Sequence, residues 1–213
     1  MPNNLLIFGD SYSTFKNFVP SGYAIYYSED VRPETDVTKV SETWWHRVIT
    51  EKELNLVLND SWSGSTIGYT GYDNADNSET SSFICRINKM IKDGFFEKNQ
   101  IDTVFVFGGT NDNWANAPLG TLKYDNFEKQ DLYSVLPAIG CFFKILKETL
   151  PNADIYCLIN TELKPEIVSA LTTVSEKYDI TPIEFEHITK NSGHPTIKGM
   201  EDIANGVLKA MNN

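Results

Sequence analysis

Ser11 is the first residue in the chain whose type and position could do chemistry. It follows the apolar run Leu5–Phe8 in the order Gly9-Asp10-Ser11. Such a run predicts a strand buried on both faces, as in a parallel sheet. Ser11 would then lie at the carboxyl end of the strand, which is the edge where open α/β sheets bind ligands. A hydroxyl there is a candidate nucleophile, although Gly-Asp-Ser alone is also common turn chemistry.

Three later polar clusters could supply a base and hydrogen-bond donors to that hydroxyl. Gly64, Asn111 and His194 each follow a later apolar run. Acyl transfer by serine needs a base to accept the hydroxyl proton and donors for the developing oxyanion. His194 is the candidate base. The candidate oxyanion donors are the backbone N–H groups of Ser11 and Gly64 and the side-chain amide of Asn111. Glycine at position 64 would let the backbone approach the substrate closely.

The other residues of these types have plainer interpretations. His46 lies on a predicted helix beside two tryptophans, which favours a packed or surface role. His187 also follows the last predicted strand, but it lacks the following proline and helix of His194. Asp10 and Asp112 are predicted to make structural hydrogen bonds in their turns. The chain shows no metal-ligand spacing and no glycine-rich phosphate loop, so neither a metal nor an organic cofactor is predicted.

Five apolar runs predict the strands that would position these clusters, with helices between them. The predicted strands are Leu5–Phe8, Leu54–Leu58, Thr103–Phe107, Ile155–Ile159 and Ile180–Phe185. The predicted helices lie near 42–53 with Ser41 as cap, near 80–93, over a long region that ends near 149, over 165–177, and from about Pro195 onwards. Pro182 suits an edge strand, and Pro137 suits a kink or a first helical turn. Strands and helices in this alternation predict one α/β domain over residues 1–213, a three-layer α/β/α sandwich around a parallel sheet.

The four clusters, taken in order, resemble the blocks of the SGNH hydrolases of the GDSL esterase/lipase superfamily. The matching residues are Gly9-Asp10-Ser11, Gly64, Gly109-Thr110-Asn111-Asp112 and His194-Pro195, and the resemblance extends from residue 5 to about 208. It implies a flavodoxin-like five-stranded sheet in the order 2-1-3-4-5. It also implies Ser11 as the nucleophile, His194 as the base, and Gly64 and Asn111 in the oxyanion hole.

One position departs from the family pattern. The family usually places an aspartate three residues before the histidine, and here that residue is Asn191. A neutral amide cannot stabilise an imidazolium by charge. Our hypothesis is a Ser11–His194 pair whose second ring nitrogen is held by a backbone carbonyl or by the side-chain oxygen of Asn191. A carboxylate from elsewhere, such as Glu184 or Glu186, is the alternative.

The composition indicates which kinds of molecule the protein could bind and in which cellular compartment it is expected. The chain has 213 residues and a net charge of −11, which disfavours nucleic acid and fits a neutral small-molecule substrate. No apolar run is long enough to span a bilayer, and the amino-terminal residues do not resemble a signal peptide. The three cysteines lie in apolar stretches, which favours buried free thiols and a cytoplasmic location. The sequence leaves the oligomeric state open.

Aromatic residues are concentrated in the connections after the first three predicted strands. They are Tyr12, Phe15, Tyr23, Tyr26, Tyr27, Trp62, Tyr69, Tyr72 and Trp114. Several must pack in the core, and the others could stack on sugar rings or hold an acyl chain. The predicted function is a serine esterase for small acyl esters, with O-acetyl groups on carbohydrate as a candidate substrate. The alternatives are a thioesterase or lysophospholipase-type acyl hydrolase, and a catalytically silent glycan-binding protein on the same fold.

Overall fold

A five-stranded parallel sheet forms the centre of the protein in the computed structural model, which describes residues 3–212. Its strands are β1 (Asn3–Gly9), β2 (Leu54–Ser61), β3 (Thr103–Phe107), β4 (Asp154–Ile159) and β5 (Thr181–Glu184). The strand order is β2-β1-β3-β4-β5, and every pairing is parallel. The predicted order is therefore confirmed. Pro182 lies on the edge strand β5, where its missing N–H is tolerated.

Helices cover both faces of the sheet and complete the predicted three-layer fold. They are α1 (Trp44–Lys52), α2 (Phe83–Lys92), α3 (Phe95–Lys98), α4 (Thr110–Trp114), α5 (Val135–Thr149), α6 (Pro165–Lys177) and α7 (Ile197–Met211). Helices α1 and α7 pack together on one face, and α2, α5 and α6 pack on the other. Side chains of β1 alternate between the two resulting cores, with Leu5 and Ile7 in one and Leu6 and Phe8 in the other.

Helix boundaries differ from the predicted ones where capping residues decide them. Helix α1 begins after Thr43, whose side chain accepts a hydrogen bond from the N–H of His46, and not after Ser41. Helix α2 begins after Ser82, which caps it in the same way. Pro137 is the third residue of α5, a position in the first turn where no N–H is needed.

The segment that carries His194 is a small β-hairpin, which precedes the helix predicted from about Pro195. Strand β6 (Lys190–Asn191) pairs with β7 (His194–Pro195) in antiparallel fashion, so that Asn191 is opposite His194. Between them, Ser192 has φ 49° and Gly193 has φ +81°. Two central residues with positive φ are what the tight type I′ hairpin turn requires, and glycine suits the second of them. The hairpin fixes the backbone of His194 before helix α7 begins.

Two further sequence expectations concern the membrane and the cysteines. Within residues 3–212, no helix is long and apolar enough to cross a membrane. All three cysteines are free thiols; Cys141 and Cys157 are buried as predicted, and Cys85 is partly exposed.

Candidate active site

Ser11 and His194 meet at the carboxyl edge of the sheet. The Oγ atom of Ser11 lies 3.0 Å from Nε2 of His194, across 183 residues of sequence. Ser11 begins a short 3₁₀ turn directly after β1 and is 2% exposed. Asp10 caps that turn, since its carboxylate accepts the N–H of Tyr12 at 3.0 Å. A hydroxyl and an imidazole in this contact can exchange a proton.

Two tyrosines from the long connection after β1 hold the hairpin on both sides of His194. The hydroxyl of Tyr12 donates to the carbonyl of Gly193, and the hydroxyl of Tyr27 donates to the carbonyl of Pro195 at 2.9 Å. Both tyrosine rings are fully buried. This connection therefore holds the backbone on both sides of His194.

The second ring nitrogen of His194 faces a backbone carbonyl. Its Nδ1 atom lies 3.4 Å from the carbonyl oxygen of Ser192, which is long for a hydrogen bond. The amide of Asn191 is turned elsewhere: its Nδ2 donates to the carbonyl of Pro33 at 3.2 Å, and its Oδ1 accepts from the hydroxyl of Ser192 at 3.3 Å. Of the two neutral partners expected from the sequence, the carbonyl is the one that faces the ring.

The structure brings neither of the alternative carboxylates to His194. Glu184 and Glu186 line a surface groove between α6 and the end of β5. Within residues 3–212, His194 forms no ion pair, and its ring nitrogens contact only Ser11 and Ser192. The competing base His187 is exposed and contacts Thr189 at 3.3 Å.

Burial and nearby cations keep the imidazole neutral. Removal from water lowers the pKa of His194 from 6.5 to about 4, and the positive charges of Arg32 and Lys190 act in the same direction. The carbonyl of Ser192 opposes them by accepting from the ring. At neutral pH the ring is therefore unprotonated and able to accept a proton from Ser11.

Three candidate oxyanion donors lie on the loops that follow β1, β2 and β3. Within residues 3–212, the backbone N–H groups of Ser11 and Gly64 donate to no protein acceptor. Gly64 has φ +82°, and a Cβ atom there would meet nothing within 4 Å. This positive φ lies in the left-handed region, which favours glycine.

Asn111 is oriented by two hydrogen bonds. Its Nδ2 donates to the carbonyl of Ser65 at 2.9 Å, and its Oδ1 accepts from the hydroxyl of Tyr72 at 2.7 Å. Because a side-chain amide has two N–H bonds, one remains for an oxyanion. The sequence identified Asn111 but not Tyr72, whose hydroxyl selects which end of the amide faces the site.

The buried carboxylate of Asp112 anchors the connection that follows β2. Both carboxylate oxygens of Asp112 accept the N–H of Ile67, and one of them also accepts the N–H of Gly68. Burial raises the pKa of Asp112 to about 6, although these hydrogen bonds oppose the shift. The sequence predicted a structural role for this residue, and its contacts are of that kind.

Arg86 is a functional support that the sequence analysis missed. Its guanidinium is buried, forms an ion pair with Asp60 at 2.6 Å, and also donates to the carbonyl of Gly9 and the hydroxyl of Ser65. It thus links the residues that precede Ser11 to the residue that follows Gly64. A charged residue on an amphipathic helix reads as solvent-exposed, so no sequence signal distinguished it.

The loop aromatics divide into core and surface groups. Tyr12, Phe15, Tyr27 and Tyr69 are buried. Tyr23 stacks on Trp62, with 4.0 Å between ring centroids. Tyr72 and Trp114 are 41% and 40% exposed, and the ring of Trp114 lies 5.6 Å from that of His194. Exposed aromatic rings therefore flank the Ser11–His194 pair. No cluster of three potential metal ligands occurs in the described part of the chain.

A flavodoxin-like parallel sheet whose carboxyl edge joins a seryl hydroxyl to an imidazole is the arrangement of the SGNH hydrolases. The chain belongs to the GDSL-like lipase/acylhydrolase family, whose model matches residues 3–211. The resemblance inferred from the four sequence clusters is thereby confirmed.

Solved structures extend this result. A protein of Bacteroides ovatus, provisionally named a GDSL-like lipase, is 41% identical, with a TM-score of 0.92 over 100% of this chain and 99% of its own. A similarly named protein of Bacteroides uniformis is 40% identical, with a TM-score of 0.90 over 99% of this chain and 96% of its own. An acetyl xylan esterase of Butyrivibrio proteoclasticus is 16% identical, with a TM-score of 0.63 over 99% of this chain and 64% of its own, and shares the fold. Comparison with curated proteins finds no match. The family supports an acyl ester hydrolase as the general activity.

Proposed function

We propose that the protein is a serine esterase in which Ser11 is the nucleophile and His194 is the base. The contact of 3.0 Å between Ser11 Oγ and His194 Nε2 carries this proposal. It joins two residues from opposite ends of the chain in the geometry that proton transfer needs. Within residues 3–212, neither side chain forms a hydrogen bond with any other side chain.

The proposed reaction has two steps. Ser11 Oγ attacks the ester carbonyl carbon while His194 Nε2 accepts the hydroxyl proton. The tetrahedral oxyanion is stabilised by the N–H groups of Ser11 and Gly64 and by Nδ2 of Asn111. The alcohol leaves with the proton from His194, and a water molecule, deprotonated by the same imidazole, then hydrolyses the acyl-enzyme. The neutral state of the ring at pH 7 supports its role as base.

The proposed substrates are small acyl esters, with O-acetyl groups on carbohydrate as the leading class. The observation that favours a sugar alcohol is the pair of exposed rings, Trp114 and Tyr72, beside the Ser11–His194 pair. Flat aromatic faces stack on sugar rings and would place an attached ester over the hydroxyl. The net charge of −11 also suits a neutral substrate.

The catalytic assignment is tested by active-site labelling and turnover. A fluorophosphonate probe should label the wild-type protein and the Ser169→Ala control, a substitution of an exposed serine on α6, but not Ser11→Ala. Turnover of p-nitrophenyl acetate should fall at least about 10³-fold in Ser11→Ala and in His194→Ala, and hardly at all in His187→Ala. A folded wild-type protein that is neither labelled nor active would favour a silent glycan-binding protein.

The acyl and alcohol preferences need a separate comparison. We expect turnover of p-nitrophenyl esters to be highest for acetate, and acetylated sugars to release acetate only when Ser11 is intact. Rates that rise toward acyl chains of about eight carbons or more would favour a lysophospholipase-type hydrolase with an apolar pocket. A strong preference for thioesters over oxygen esters would favour a thioesterase.

A further inference from the structure

The imidazole of His194 is held by aromatic packing where the family pattern would have a carboxylate. Asn191 occupies the expected position, and its amide contacts Pro33 and Ser192 but not the ring. The remaining contact of Nδ1, with the carbonyl of Ser192, is 3.4 Å long. This long contact restrains rotation about the Cβ–Cγ bond of His194 only weakly, and the contact of Nε2 with Ser11 is the one that must be kept in place, so a further contact is needed to fix the ring plane.

Tyr26 lies against the face of this ring. The two ring centroids are 3.6 Å apart and the planes differ by 4°, which is a parallel stack at van der Waals distance. The rings of Tyr12 and Trp114 approach at 5.5 Å and 5.6 Å with inclined planes, so they border the imidazole without covering it in parallel. Of these three rings, Tyr26 is therefore the one that lies closest to His194 and parallel to it.

Arg32 in turn holds Tyr26. Its guanidinium lies over the Tyr26 ring, 5.0 Å from the centroid, and it also donates a hydrogen bond to the Tyr26 carbonyl. Within residues 3–212, Arg32 forms no ion pair, and its buried Nε atom has no hydrogen-bond partner. A cation that lies over an aromatic face is stabilised electrostatically by the ring quadrupole. The contact with Tyr26 therefore stabilises the guanidinium of Arg32 where no carboxylate forms an ion pair with it within residues 3–212.

We propose that Tyr26, held by Arg32, is the positioning residue for His194 and replaces the orienting role of the absent carboxylate. This inference rests on the proposed function, since a positioned base matters only if His194 is the base. The stack sets the ring plane so that Nε2 stays directed at Ser11. It provides orientation without a negative charge.

The charged groups near the imidazole of His194 are positive, whereas the carboxylate of the family pattern would be negative. Arg32 approaches from the connection after β1 and Lys190 from the hairpin. Lys190 is paired with Glu162 at 3.0 Å, on the loop after β4. Tyr12 and Tyr26 are the titratable groups in contact with the ring, and burial raises the pKa of each. Glu34, on the same connection, acts on Tyr26 with the opposite sign to Arg32. Within residues 3–212, Arg32 itself forms no ion pair.

The test compares two substitutions at the same position. Tyr26→Phe keeps the ring and removes a hydroxyl that makes no hydrogen bond within residues 3–212, so kcat should stay within about threefold of wild type. Tyr26→Leu removes the stack, and kcat should fall roughly tenfold to a hundredfold, the range expected for a misplaced catalytic group. KM should change by less than about threefold, because the lost contact is with the base. Phe18→Leu, an aromatic loss in the same connection that faces Trp45, is the matched control and should keep wild-type kcat.

A second variant tests the arrangement if Tyr26→Leu does not fold. Arg32→Gln removes the cation, so the acidic limb of the kcat–pH profile should move to higher pH, because a charge that disfavours the imidazolium is gone. Lys39→Gln, at an exposed lysine distant in sequence from the hairpin, should leave the limb in place. A purely structural role for Arg32 would alter stability without moving this limb.

Four results would overturn the inference. They are an unchanged kcat in folded Tyr26→Leu, a rise in KM alone, an equal loss in Tyr26→Phe and Tyr26→Leu, and an acidic limb that Arg32→Gln does not move. Ser11→Ala, measured alongside, keeps the two proposals separable. If Ser11→Ala is as active as wild type, the proposed function fails. If activity depends on Ser11 but not on the Tyr26 ring, the positioning role alone fails.

Discussion

Replacing Arg86 with methionine should destabilise the protein strongly and disorder the site loops. The guanidinium is about 1% exposed and the Asp60 carboxylate about 3%, with 2.6 Å between the charged atoms. Removing one member of a buried pair leaves an uncompensated charge, which costs about 3–5 kcal/mol. For a protein of this size, that loss corresponds to a fall in melting temperature of about 6–20 °C.

A surface pair with the same separation provides the control. Lys144 and Asp125 are also 2.6 Å apart, but their side chains are 29% and 63% exposed. Water screens such a pair, so Lys144→Met should cost about 1 kcal/mol or less. The two pairs have the same distance between their charges; they differ in burial and in the further hydrogen bonds that Arg86 donates to Gly9 and Ser65.

Urea unfolding of the single variants and of Arg86→Met/Asp60→Asn measures the effect. If the unpaired charge is the cause, the double variant should be more stable than Arg86→Met alone, because the amide carries no charge. Turnover should fall in both, since the contacts from Arg86 to Gly9 and Ser65 are lost. A loss below about 1 kcal/mol in Arg86→Met, or a double variant no more stable than the single one, would refute this reasoning.

Three further predictions concern the site itself. Tyr72→Phe should lower kcat about tenfold with little change in stability, because Asn111 loses the hydrogen bond from the Tyr72 hydroxyl that orients its amide. An unchanged kcat would mean that the hydrogen bond to the Ser65 carbonyl orients the amide alone. Asn191→Ala should lower esterase turnover by less than about tenfold, because the amide contacts Pro33 and not the imidazole; a loss of many thousandfold would show that this position does orient the base. Turnover should persist down to about pH 5 and fall as the pH approaches 4, because the pKa of the buried His194 lies at about 4 and protonation removes the base. A midpoint of the pH profile near 6.5 would show instead that the ring is solvated.

The sheet and the contact between Ser11 and His194 were predictable, because apolar runs mark the strands and a parallel sheet brings the carboxyl ends of its strands together. Buried strands such as Thr103–Phe107 are continuous apolar runs, and parallel strands place their carboxyl ends at one edge. Any polar cluster that follows such a run is therefore brought near the others. The position of β5 at the edge followed from Pro182 for the same kind of reason.

The support of the site was not predictable because it comes from segments without periodicity. Residues 12–40 contain no hydrophobic pattern, yet Tyr12, Tyr26 and Tyr27 from this connection position the hairpin and the imidazole. The hairpin strands have two residues each, too short for any alternation to appear. Its one local signal was the adjacent pair Ser192 and Gly193, which suits a two-residue turn.

The absent carboxylate has two consequences that the structure separates. In a serine hydrolase the acidic partner both orients the imidazole and stabilises the imidazolium that forms when serine attacks. A parallel ring such as Tyr26 can restrict rotation, but it brings no negative charge, and Arg32 and Lys190 add positive charge beside His194. Orientation can therefore be retained while the charged intermediate stays unfavourable. It follows that transition-state stabilisation in the proposed reaction must depend more on the donors at the oxyanion than on the histidine.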